Sequence, residues 1–224
     1  MTFSLVARCK ETGMFGLAIA SSSPAVAARC SFARAGVGAV ASQNITDPAL
    51  GPLTLDMLER GLTACEATAE IVKCGKFIDY RQLLVVDKFG ETAIHSGPNS
   101  LGIWAQANAL NVASGGNLLA NDYIPQAILN EFLVSKGHIG DRLIAAMRAG
   151  LDAGGEAGAI HSAGLKIVDK VSWPIADLRC DWTEECPIEA IAIAWEIYKP
   201  QLDAYIKRAL DPRDAPSYGV PGDQ

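Results

Sequence analysis

Basic side chains are in the minority in this 224-residue chain, with 19 Lys plus Arg against 25 Asp plus Glu and a formal net charge of −6. A surface of that sign offers no electrostatic footprint for nucleic acid or an anionic membrane, so neither is expected as a partner. Histidine is rarer still, at three, and the six cysteines (Cys9, Cys30, Cys65, Cys74, Cys180, Cys186) show neither a CxxC pair nor a zinc-type Cys/His spacing. No metal and no other cofactor is expected, and the cysteines read as buried, reduced thiols in a cytoplasm. Long apolar runs are missing too. Even the charge-free stretch 96–121 is interrupted by asparagine, serine and glycine, far from the roughly 18–20 apolar residues that a membrane span requires. The amino terminus lacks a basic segment followed by an apolar one and does not read as a signal peptide. Walker loops, GxGxxG, GxSxG and HExxH are also absent, which argues against phosphate cradling, dinucleotide binding, serine-elbow chemistry and zinc hydrolysis.

What remains is an ordinary globular composition, half apolar and one fifth charged, in a chain of one domain plus a small appendage. Residues 2–8 and 15–20 are β-prone runs separated by a polar connection with Gly13, which predicts a hairpin. A further strand is expected at 37–41. Thr54 and the Thr63-x-x-Glu66 pair are helix starts, the latter in capping-box order, placing two helices within about 50–75. Strands are expected again at 82–87, 91–95, 102–106 and 110–114, helices at 121–136 and 141–152, and a strand at 162–168. Strand blocks alternating with helix pairs are neither βαβ repeats nor an all-β sandwich, so the fold class is α+β, with antiparallel sheets covered by helices.

From Pro187 onward Ile188, Ile191, Trp195, Tyr198, Leu202, Tyr205 and Ala209 recur at steps of three and four, one apolar stripe on a long helix that Pro200 should kink. The stripe packs either on its own domain or on a second subunit. The expected division is therefore a domain over 1–186 and a helix and extended tail over 187–224, with a homo-oligomer as the expected assembly.

Chemistry concentrates at Thr2. A small residue after the initiator methionine normally allows that methionine to be removed, which exposes an α-amine beside a hydroxyl. Such an amine has an unperturbed pKa of about 7.7–8.0 and can serve as base for its own Oγ1. The opening TFSLVARCKETGMFGLAIASSSPAVAARCSFARAGVGAVASQ, with GGNLLA at 115–120 and SAGL at 162–165, resembles the DUF1028 family, which is similar in fold to the N-terminal-nucleophile (Ntn) hydrolases such as proteasome β-subunits. The resemblance covers nearly the whole chain. It implies a four-layer αββα sandwich with Thr2 as nucleophile, and hydrolysis of an amide bond. Proteasome-type sites also carry an acidic residue after the second strand and a lysine on the third, where this chain has Ser21, Ser22, Ser23, Arg29 and Arg34.

An attack by Thr2 needs oxyanion donors, and Gly115, Gly116 and Asn117, read as a turn after a strand, offer two backbone amides and a carboxamide. Gln43 and Asn44, at the end of a strand, are candidates to orient a carboxamide or carboxylate substrate or to cap the next element. Glu156, His161, Ser22 and Arg34 complete the substrate-binding candidates. His161 cannot activate its neighbour Ser162, because adjacent residues on a strand point to opposite faces. With no charged channel in view, the expected substrate is a small non-protein amide or ureide. The competing expectation is a catalytically silent Ntn-fold protein that binds a small ligand or a protein partner.

Overall fold

The computed structural model describes residues 2–221. It is a mixed α+β structure built on two antiparallel sheets. β1 (Thr2–Arg8) and β2 (Phe15–Ser21) form the expected hairpin, in a register that sets Phe3 across from Ala20 and Arg8 across from Phe15. The chain continues through α1 (Val26–Cys30), β3 (Ser31–Arg34), β4 (Gly38–Gln43), α2 (Leu50–Glu59) and α3 (Ala64–Cys74). β5 (Gln82–Asp87), β6 (Thr92–Ser96), β7 (Ala105–Ala109) and β8 (Val112–Asn117) follow, then α4 (Ile124–Val134) and α5 (Ile139–Asp152). β9 (Ser162–Val168), β10 (Ala176–Cys180), α6 (Pro187–Tyr198) and α7 (Leu202–Leu210) complete the order. One sheet has six strands in the order β10-β9-β2-β1-β8-β7, and the other has four, β3-β4-β5-β6.

Strand alternation explains how the layers assemble. On β1, Phe3, Leu5 and Ala7 point to one side, where they pack with Ile128 and Phe132 of α4, Leu143 and Met147 of α5, and Ile188 and Trp195 of α6. Val6, with Leu17 and Ile19 of β2, points to the other side and meets Ala39, Ala41, Leu84 and Val86 of the four-stranded sheet. The far face of that second sheet, with Val40, Leu83 and Val85, is covered by Leu55 and Leu58 of α2 and Ala67 and Ile71 of α3. Thr2 and Ser4 share the face of Val6, so the first residue of β1 lies on the side that faces the second sheet.

The capping box at α3 forms as the sequence predicts. Glu66 N donates to Thr63 Oγ1 (3.2 Å) and Thr63 N to Glu66 Oε2 (2.9 Å). Three expectations need correction. The segment before β4, for which no element is expected, carries α1 and β3, each too short to leave a periodic signal. β7 and β8 are displaced toward the carboxyl end, so that residues 114–117 lie inside a strand and not in a turn. Only Cys9 and Cys30 are buried; Cys65 and Cys74 are exposed, and Cys180 and Cys186 lie between.

The carboxyl-terminal stripe also resolves. Pro200 falls in a 3-10 turn, Lys199–Gln201, that divides α6 from α7. Ile188, Ile191, Trp195 and Leu202 are buried against the chain's own domain, Tyr198 donates to Ile175 O (2.9 Å), and Tyr205 stacks on Tyr198. The stripe is therefore covered by its own chain as far as Leu202, whereas Tyr205 and Ala209 are exposed, and the large apolar side chains that α6 leaves exposed are Ile193 and Ile197 on its opposite face. Among the described residues no helix is long and apolar enough to cross a membrane.

Candidate active site

Register brings the site together. Thr2 opens β1 directly across from Asn117 of β8, and Gln43 of β4 lies directly across from Gln82 of β5 in the other sheet. The two rungs are linked through the inter-sheet layer by a buried chain of carboxamides. Ser4 Oγ donates to Gln43 Oε1 (2.7 Å), and Gln43 Nε2 donates to Gly115 O (3.2 Å) and Gln82 Oε1 (2.7 Å). Gln82 Nε2 donates to Gly116 O (3.2 Å) and Ser96 Oγ (2.9 Å), and Asn117 Nδ2 donates to Gln82 Oε1 (3.3 Å). Amide orientation is assigned from such partners, and here the assignment is forced. A backbone carbonyl can only accept, so Gly115 O and Gly116 O require the NH2 ends of both glutamines. Gln82 Oε1 then faces Asn117, Asn117 turns its NH2 inward, and Asn117 Oδ1 is left without a partner although the residue is 1 % exposed.

Asn117 also borders a cleft of about 260 Å3 whose polar wall comprises Thr2, Ser23, Arg29, Asn44, Thr46 and Asn117 itself. Ile45 and Leu101 supply its apolar part. Thr2 Oγ1 donates to Ser21 Oγ at a loose 3.4 Å, and Ser21 Oγ lies 2.8 Å from Ser23 Oγ. Arg29, on α1, donates through Nη1 to Pro24 O (2.6 Å) and Ala25 O (3.2 Å) and through Nη2 to Ser23 Oγ (3.4 Å). Opposite them, the turn after β4 holds Asn44 at φ 55° and Ile45 at φ 24°. Positive φ is uncommon for asparagine and strained for a β-branched residue, and such strain concentrates at ligand clamps. The turn is held by Asn44 Nδ2 to Tyr80 O (2.6 Å), by Leu101 N to Asn44 Oδ1 (3.2 Å), and by the Arg81 guanidinium on Ile45 O.

Several candidate residues sit elsewhere or do other work. Arg34 is not in the cleft. Its guanidinium bridges Asp56 (2.8 Å) and Glu59 (2.6 Å) on α2, which ties β3 to that helix. Gln43 is fully buried and spends its amide on joining the sheets. Gly115 and Gly116 lie in the middle of β8 with β1 on one side and β7 on the other, so their amides belong to the ladder and are not oxyanion donors. Glycine is needed at 116 for a packing reason, since a Cβ there would stand 2.6 Å from a Leu119 methyl. Asn117 lines the cleft, but its NH2 is spent on Gln82, so it is not an oxyanion donor. His161 stacks on Trp182 (4.4 Å between ring centres), and its Nδ1 donates to Thr183 O (2.9 Å), outside the cleft wall.

Ser22 and Glu156 meet outside the residues that line the cleft. The Ser22 N–H reaches both Glu156 oxygens, at 3.1 and 3.2 Å, and Glu156 is 5 % exposed. Burial pushes the Glu156 carboxyl up to about 7, with the Ser22 hydroxyl and N–H, the terminal amine and His161 pulling the other way. Because the folded value lies above the ordinary 4.5, the unfolded chain ionises first as pH rises. The contribution to stability is complete below about 4.5 and is lost as pH climbs through about 7. Urea unfolding across that range should show wild-type stability falling relative to Glu156→Gln, and parallel curves would remove the assignment.

The residues missed from sequence are Arg29, Ser23, Thr46 and Gln82. Ser23 was recoverable, because the β1/β2 hairpin register alone carries the serine run to Thr2. Nothing in the sequence separated Arg29 from Arg34. Among the described residues no three His, Cys, Asp or Glu side chains gather in a way that could hold a metal ion.

A model described as a family of unknown function, DUF1028, matches residues 2–191. The crystal structure of a DUF1028 protein from Silicibacter pomeroyi aligns with a TM-score of 0.82 at 26 % identity, over 88 % of this chain and 89 % of that one. Anbu, an ancestral beta-subunit from Yersinia bercovieri, aligns with a TM-score of 0.36 at 13 % identity, over 90 % of this chain and 96 % of that one. No curated protein matches the chain.

Proposed function

The chain belongs to the DUF1028 family, whose function is unknown, and from that footing we propose that it is an N-terminal-nucleophile amide hydrolase acting on small amides. The observation that carries the reading is the position of Thr2, first in a central strand and in the wall of the 260 Å3 cleft. Helices on the outer faces of two packed antiparallel sheets are read as the αββα Ntn sandwich. Removal of Met1 turns the Thr2 nitrogen into an α-amine whose ordinary pKa, about 7.7–8.0, suits a base near neutrality. The Thr2 Oγ1 attacks the amide carbonyl while its proton passes to the α-amine. The C–N bond then breaks, the α-ammonium returns the proton to the departing nitrogen, and an ester on Thr2 remains. Water, deprotonated by the same amine, cleaves the ester and releases the acid. With Gly115 and Gly116 committed to the sheet, the backbone amides of the strained 44–46 turn take the role of oxyanion donors.

A test is to trap the ester. Protein lacking Met1, mixed with an activated small acyl amide and quenched in acid, should gain one acyl mass on the peptide that begins at Thr2. An acyl group found elsewhere, or a Met1 retained in protein made at low expression, would favour the silent ligand-binding reading. That second reading draws on the buried, unpartnered Asn117 oxygen, on a residue that lines the cleft whether or not chemistry follows.

A further inference from the structure

The Thr2 cleft contains two groups that the attack itself does not use. Arg29 is half-buried, and among the described residues no carboxylate lies within ion-pair distance of its guanidinium. Its three hydrogen bonds go to two carbonyls and a hydroxyl, all neutral, which leaves the charge uncompensated and part of its five-donor fork unspent. In a chain of net charge −6, a cation placed in a cleft and left unpaired suits an anionic ligand. Asn117 Oδ1 is the second group. It is buried and has no partner, it belongs to a residue that lines the same cleft, and the carboxamide chain behind it prevents the NH2 from taking its place. Leaving a buried acceptor unmade is costly, and a donor on the occupant removes that cost.

We propose that the cleft selects amides carrying a carboxylate, the N-acyl amino acid pattern, with Arg29 holding the carboxylate and Asn117 Oδ1 accepting the amide N–H. The cleft volume of about 260 Å3 falls just below the ~300–1,000 Å3 of drug-sized sites, which limits the occupant to a short acyl group on a small amino acid. The assignment deepens the amidase reading and rests on it for the reaction, while the binding itself needs no turnover.

That separation sets the experiment. Thr2→Ala protein is titrated by calorimetry with N-acetylglycine, with N-acetylglycinamide, which lacks the carboxylate, and with N-acetylsarcosine, which lacks the N–H. N-acetylglycine should bind at least about tenfold more tightly than the glycinamide, as expected for a charge-assisted contact. Arg29→Gln should bring the two to equal affinity with its thermal midpoint retained. N-acetylsarcosine should also bind about tenfold more weakly than N-acetylglycine. Equal affinity for acid and glycinamide, a preference that survives Arg29→Gln, or no binding up to about 10 mM overturns the Arg29 assignment. Sarcosine and glycine derivatives that bind alike overturn the role of Asn117. Acid preference without turnover in the wild type sinks the amidase reading alone, and turnover of neutral amides without acid preference sinks this inference alone.

Discussion

Thr2→Ala, in protein whose mass shows Met1 removed, should lower kcat/KM on N-acetylglycine or any accepted small amide by at least about 1,000-fold. The α-amine and the cleft survive the change, but the atom that would form the ester does not. Thr2→Ser keeps that atom and should retain turnover, which separates loss of the nucleophile from loss of shape. The thermal midpoints of the three proteins are measured alongside, so that lost turnover is read against retained folding. Steady-state kinetics on the three proteins decide the matter. Unaltered turnover in Thr2→Ala would mean that the reacting atom lies elsewhere.

Trp195→Ala should be the most damaging single truncation for stability, costing about 3–5 kcal/mol. The indole is fully buried between α5 and α6, and its Nε1 donates to Asp141 Oδ1 at 2.7 Å. α5 approaches so closely that a Cβ on Gly140 would lie 2.4 Å from the ring. No small shift of either helix fills the space the indole leaves. Urea unfolding should show a lower midpoint, and light scattering should show an unchanged oligomeric state, since Trp195 itself is covered by its own chain. A loss below about 1 kcal/mol, or dissociation into smaller species, would place the indole against a partner instead.

The architecture was largely legible because it follows from short-range rules. Two β-prone runs around a polar connection with Gly13 announced β1 and β2, Thr63 and Glu66 announced a helix start, and Pro200 announced a break. Thr2 could be singled out because its chemistry depends on chain position alone. The rest of the site depends on what meets across space, and there the sequence misled in specific ways. A Gly-Gly pair resembles a turn, yet Gly116 is glycine because Leu119 packs on it inside a strand. Arg34 and Arg29 look equivalent on paper. One is spent on Asp56 and Glu59 and the other enters the cleft, a difference made by α1 and β3, which are too short to signal themselves. Gln82 sits in an apolar strand run and became notable only when its rung was found facing that of Thr2.

The link from Gly115 and Gly116 through Gln43 and Gln82 to Asn117 runs in one sense only, because main-chain oxygens anchor its far end and cannot give a proton. The polarity displayed at the cleft is thus inherited from Gln43 and Gln82 on the opposite sheet and from the main chain of Asn117's own strand. Retuning what the protein accepts would be as open to a substitution at 43 or 82 as to one at the cleft's surface.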